Sequence, residues 1–106
     1  MEDLKYQLVL QLPGNTRQDF EELATLEELV MVALQDTPHE VDGHDFGSGT
    51  MNVFIDTNEP VAAFALVKDT INIVEYPMLK AAYRSFADED YKLIWPENSD
   101  DAFDLM

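Results

Sequence analysis

The sequence has no cysteine, which excludes disulfides, thiolate metal sites and cysteine nucleophiles. Basic residues are scarce, with six Lys and Arg against 22 Asp and Glu and a formal net charge of −16. A chain so poor in cations cannot replace the counterions of DNA, RNA or an anionic lipid surface, so sequence-independent binding to those partners is excluded. No apolar run approaches the roughly 20 residues that a membrane-spanning helix needs. The start, Met1-Glu2-Asp3, is acidic where a secretory leader is basic and then apolar, so a cytoplasmic protein is expected.

What is present suffices for a fold. Of 106 residues, 46% are hydrophobic, which argues against wholesale disorder. A chain of this length buries roughly 65% of its unfolded surface, enough for a core without staples. One α+β domain is expected over residues 1–96, followed by an acidic tail over 97–106.

The charge is unevenly placed. From Gln18 to Val67 there is no Lys or Arg, but there are eleven acids. Pro60 to Phe86 is nearly balanced, and the last twenty residues turn acidic again. Two readings stand: a solubility surface, or a field that steers a basic partner and speeds its capture.

Hydrophobic periodicity places the elements. Tyr6, Leu8, Leu10 and Leu12 alternate with Gln7, Val9 and Gln11 as in a strand, which Pro13-Gly14-Asn15 stops. Phe20, Leu23, Leu26, Leu29, Val30, Ala33 and Leu34 recur at spacings of three and four, the core stripe of a helix. Asn15 or Thr16 caps its start, and Thr37-Pro38 is expected to end it. A hairpin follows: His39–Phe46, a turn at Gly47-Ser48-Gly49, then Thr50–Asp56 with Met51, Val53 and Ile55 on one face. Gly43 inside the first arm signals a bulge or a close backbone approach. Pro60 opens a second helix, with Val61, Phe64, Leu66, Val67, Ile71 and Val74 as its apolar face. A second hairpin pairs Lys80–Phe86 with Tyr91–Trp95, and Tyr91, Leu93 and Trp95 are expected to share a face. Trp95 and Phe86 read as core. The order β-α-β-β-α-β with an extra C-terminal strand predicts a ferredoxin-like split βαβ sandwich, two helices on one face of a mainly antiparallel sheet.

Several segments carry candidate chemistry. His39-Glu40-Val41-Asp42-Gly43-His44-Asp45 is the densest cluster of candidate metal ligands, with His39, Asp42, His44 and Asp45 the residues to hold an ion. A regular strand would split them between its faces, so a site would need a bulge at Gly43. The competing reading is a polar arm at a sheet edge. Gly43, Gly47 and Gly49 lack the following Lys of a phosphate loop, and a tight hairpin turn accounts for them. Ser48 and Ser85 lack a positioned base, and none of the 22 carboxylates is singled out for acid–base work.

Two stretches, Val41-Asp42-Gly43-His44-Asp45-Phe46-Gly47-Ser48-Gly49-Thr50-Met51-Asn52-Val53-Phe54-Ile55 and Ala82-Tyr83-Arg84 through Tyr91-Lys92-Leu93-Ile94-Trp95-Pro96, resemble a group of small, acidic bacterial proteins of about this length. Small acidic proteins of this sort include the immunity proteins of toxin–immunity pairs. The resemblance brings no catalytic residue and no cofactor, and implies a binding protein rather than an enzyme.

The expectation is therefore an acidic protein that neutralises a basic protein partner, most plausibly an immunity protein against a nuclease-type toxin. Glu21, Glu22, Glu28, Asp42 and Asp45 are its candidate binding acids, and Tyr83 and Tyr91 its candidate aromatic anchors. A DNA mimic that blocks a DNA-binding protein is the alternative within that class. A small metal-dependent enzyme built on His39–Asp45 is the alternative outside it. An exposed strand edge could also pair two copies.

Overall fold

The computed structural model describes residues 4–47 and 49–96. In chain order the elements are β1 (Tyr6–Pro13), α1 (Arg17–Ala33), β2 (Glu40–Gly47), β3 (Thr50–Thr57), α2 (Pro60–Thr70), a 3-10 turn at Ile73–Glu75, β4 (Lys80–Ser85) and β5 (Lys92–Trp95). The strands form one sheet in the order β2-β3-β1-β4-β5, with every pairing antiparallel. The class is α+β. The expected acidic tail and Ser48 lie outside the described residues. Among the described residues no helix is long and apolar enough to cross a membrane.

Alternation along the strands sets the two faces of the sheet. Leu8 stands beside Ile55 and Tyr83, Leu10 beside Val53 and Ala81, and Leu12 beside Met51. These side chains meet Leu23, Leu26, Val30 and Leu34 of the first helical segment and Ala63, Phe64 and Val67 of α2 in one core. Both helices therefore cover the same face. Each fully buried Leu or Val contributes on the order of 1.5–3 kcal/mol. The other face carries Val9, Ala82 and Asn52, also buried, and a hydrogen bond from Gln11 Nε2 to Asn52 Oδ1 of 3.1 Å.

α1 starts where its capping chemistry dictates. Thr16 Oγ1 accepts from the Asp19 amide at 3.1 Å, and Asp19 Oδ2 accepts from the Thr16 amide at 3.1 Å and the Asn15 amide at 3.0 Å. This reciprocal box satisfies amides that the helix leaves without partners. The helix ends at Ala33, earlier than Thr37-Pro38. Leu34 caps it at φ −100° and ψ 5°, and Asp36 then adopts a left-handed conformation at φ 63° before proline is reached.

Several apolar assignments need correction. Phe20 is 40% exposed and Phe86 46% exposed rather than core. Phe20 lies on the flank of α1, outside the buried arc of Leu23, Leu26 and Val30. Phe86 follows the last paired residue of β4, and alternation points it to the helix-free face. Val61 and Leu66 lie off the buried Ala63–Phe64–Val67 arc of α2. Val74 lies beyond α2, because Ile71 has already turned to an extended ψ of 154°. Finally, Tyr91, Leu93 and Trp95 do not share a face. The register between β4 and β5 shifts between Ala81 and Ala82. Trp95 therefore joins Ala81 on the helix side, against Phe64 and under Lys68 Nζ at 4.4 Å, while Leu93 pairs with Ala82 on the other face.

Candidate functional site

Among the described residues β2 lies at one outer edge of the sheet, paired to β3. Its register shifts between Val41 and Gly43, so Asp42 is the extra residue of a bulge. Gly43 has φ 154°, backbone that side-chain-bearing residues rarely adopt, while the space around it is open. The glycine is there for conformation rather than for close packing.

The bulge decides which way the strand's side chains point. Beyond it, His44 stands beside Val53 and Phe46 beside Met51 on the helix-covered face, with Asp45 beside Asn52 on the other. Glu40 stands beside Asp56 on that same helix-free face. His39 is buried, with Nδ1 2.6 Å from Thr57 Oγ1. Thr57 Oγ1 also accepts the Glu59 amide at 2.9 Å, so one hydroxyl links His39 to the start of α2. The bulge thus brings both histidines to one side of the sheet. Four ladder positions still separate them, about 13 Å at the usual strand rise. Among the described residues no group of three or more His, Asp or Glu is placed to hold a metal.

α1 supplies the other wall of this corner. Phe20, Glu27 and Met31 recur at spacings of seven and four, on one flank of the helix. Glu27 Oε2 lies 3.0 Å from His44 Nδ1, which fixes that flank against β2. The Phe20 ring meets His44 edge-on at 5.8 Å between centroids and Phe46 at 5.4 Å. Phe20 and Met31 are 40% and 55% exposed. The result is a small apolar shelf of Phe20 and Phe46 alongside the outer edge of β2, bordered by Glu27, with Asp45 on the opposite face of the strand. Large exposed apolar groups ringed by polar ones mark interaction surfaces.

The candidate partner-binding residues divide among five places. Asp42 is the bulge residue of β2 and Asp45 points to the face away from the helices, and Glu28 is exposed on α1. Glu21 and Glu22 instead line a shallow cavity of about 480 Å³ with Gln18, Thr25, Glu75 and Tyr76. There burial, then Glu75 and Glu22, push the Tyr76 hydroxyl above the usual tyrosine range. Tyr83 is half-buried, edge-on to Tyr6 at 6.1 Å, and lines a second cavity of about 590 Å³ with Lys92 and the start of α2. Tyr91 donates its hydroxyl to Gln7 Oε1 at 2.6 Å and accepts from Arg84 Nε at 3.2 Å. Its role is to tie β5 to β1 and β4.

Sequence reasoning missed Phe20, Met31, Phe46 and Glu27. The available signal was that Phe20 sits at the margin of the apolar arc, where exposure and burial read alike. The acids on the helix-free face also interact. Burial first, then Asp42 and Glu40, hold the Asp56 carboxyl above the usual carboxylate range. Comparison with protein-family models, with curated proteins and with solved structures gives no match.

Proposed function

We propose that this is a non-enzymatic acidic binding protein of the cytoplasm that captures a basic protein partner, as an immunity protein captures a nuclease-type toxin. The observation that carries this reading is the corner between α1 and β2, where Phe20 and Phe46 form an apolar centre beside Glu27, with Asp45 and Glu40 on the opposite side of the β2 edge. An apolar centre supplies affinity and an acidic border supplies steering toward cations. The net charge of −16 raises the capture rate of any basic partner. The resemblance to small acidic bacterial proteins points the same way.

We also infer a ferredoxin-like split βαβ arrangement for the part up to β4. Supporting it are the position of β3 between β2 and β1, the position of β1 between β3 and β4, and two helices on one face. β5 extends this sheet beyond β4 and departs from a four-stranded plan.

A pull-down with the tagged protein from bacterial lysate, eluted in a salt gradient, tests the binding function. The expected result is a stoichiometric basic protein released at high salt and lost with Phe20→Ser. Capture that is insensitive to salt would overturn the reading.

A further inference from the structure

The outer edge of β2 bears backbone donors and acceptors that no described strand pairs. From Gly43 to Gly47 the ladder with β3 runs without interruption, so this part of the edge is regular enough to take another strand. The two sides of β2 differ in chemistry. Toward the helices, an added strand would rest its side chains on Phe20, His44 and Phe46. On the opposite side it would face Asp45 and, past the bulge, Glu40.

A second copy of this chain is a poor occupant. Antiparallel pairing of the regular stretch Gly43–Gly47 with itself sets Asp45 opposite Asp45 between two chains that each carry −16, and opposed like charges destabilise a strand pair. A strand that alternates Lys or Arg with apolar residues meets the reverse situation, with cations against Asp45 and Glu40 and apolar groups on the Phe20 shelf. We propose that the protein binds its partner by strand addition at the β2 edge, and that the partner segment is extended, with basic and apolar residues in alternation. Main-chain hydrogen bonds then give affinity and the two unlike sides give specificity. This inference rests on the basic-partner reading and specifies its mode.

The test uses the full chain and an end-capped peptide of four Lys-Val repeats, titrated calorimetrically at low salt. A second peptide of the same sequence carries N-methyl groups on its four central residues, which removes backbone donors and keeps the charge. Expected are binding of the first peptide, at least tenfold weaker binding of the second, and at least fivefold weakening of the first by Phe20→Ser. Amide exchange within residues 43–47 should slow on binding. Equal affinity for the two peptides, no binding of either, or dimerisation of the protein alone that protects the same amides would overturn strand addition. Salt-dependent capture of a basic protein from lysate, if it persists in that event, leaves the basic-partner reading standing. If capture fails as well, both fall.

Discussion

Glu27 on α1 reaches across to His44 on β2, Oε2 to Nδ1 at 3.0 Å. The contact joins a helix to an edge strand that would otherwise be held by β3 and a few apolar groups. Both side chains keep part of their surface in water, 38% for His44 and 20% for Glu27. Solvent screens such a pair, so its worth is modest. In a double-mutant cycle of Glu27→Ala and His44→Ala, the expected coupling is about 0.5 kcal/mol, read from urea unfolding. A coupling above about 2 kcal/mol would show that the corner is far drier than the structure has it.

Gly14 is required by close approach. A Cβ there would lie 2.8 Å from Asp19 Cβ and 2.8 Å from Met51 Sδ. The Met51 side chain can yield, but Asp19 is held by the capping box that starts α1. Gly14→Ala should therefore cost about 1–3 kcal/mol, the usual range for overpacking, as a lowered urea midpoint at unchanged slope. A neutral outcome would show that the turn after β1 adjusts freely.

Thr57 is fully buried, and its hydroxyl serves both His39 Nδ1 and the Glu59 amide. Thr57→Val keeps the shape and strands both partners. The expected loss is about 1–3 kcal/mol, the cost of leaving buried polar groups unsatisfied. Thr57→Ser should recover most of it, since the hydroxyl returns. Equal losses in the two variants would assign the effect to the missing methyl instead.

Asp56 ionises less readily in the folded protein than an ordinary aspartate, through burial and the nearby Asp42 and Glu40. A carboxyl with a raised folded pKa binds its proton more tightly when folded, so stability falls as pH rises through the titration. The penalty is complete once pH exceeds the folded value, and it vanishes below about pH 3.9, where the unfolded group is protonated too. Asp56→Asn should therefore stabilise the protein at pH 7, by about 0.5 kcal/mol for a surface charge. The variant and parent should converge near pH 3. Asp19 behaves oppositely. Its carboxylate accepts from the Asn15 and Thr16 amides, which lowers its pKa, so Asp19→Asn should destabilise at pH 7 and converge with the parent at acid pH.

The helix cap, the two-residue alternation of β1 and β3 and the proline at the start of α2 were all legible along the chain. Each depends on neighbours within four residues, so sequence spacing carries the needed information. Phe20 was not legible as a surface residue, because an apolar residue at the margin of a helical stripe looks the same whether or not an element covers it. The candidate corner was only partly legible. Asp42 and Asp45 stand out as acids in a glycine-bearing strand, whereas the packing of Tyr83 on Tyr6 and the bond from Tyr91 to Gln7 join residues far apart in the chain.

Composition by itself determined the sign of the molecule's field: with 22 acids against six Lys and Arg, it repels polyanions whatever the fold. Local pattern determined which segments became strands and helices. Only the tertiary structure decided that β2 is an outer strand among the described residues, that a bulge at Asp42 turns His44 and Phe46 toward α1, and that Glu27 and Phe20 meet them there. Those relations join residues far apart in sequence, and they arise from strand order and register, which no short window of the chain contains.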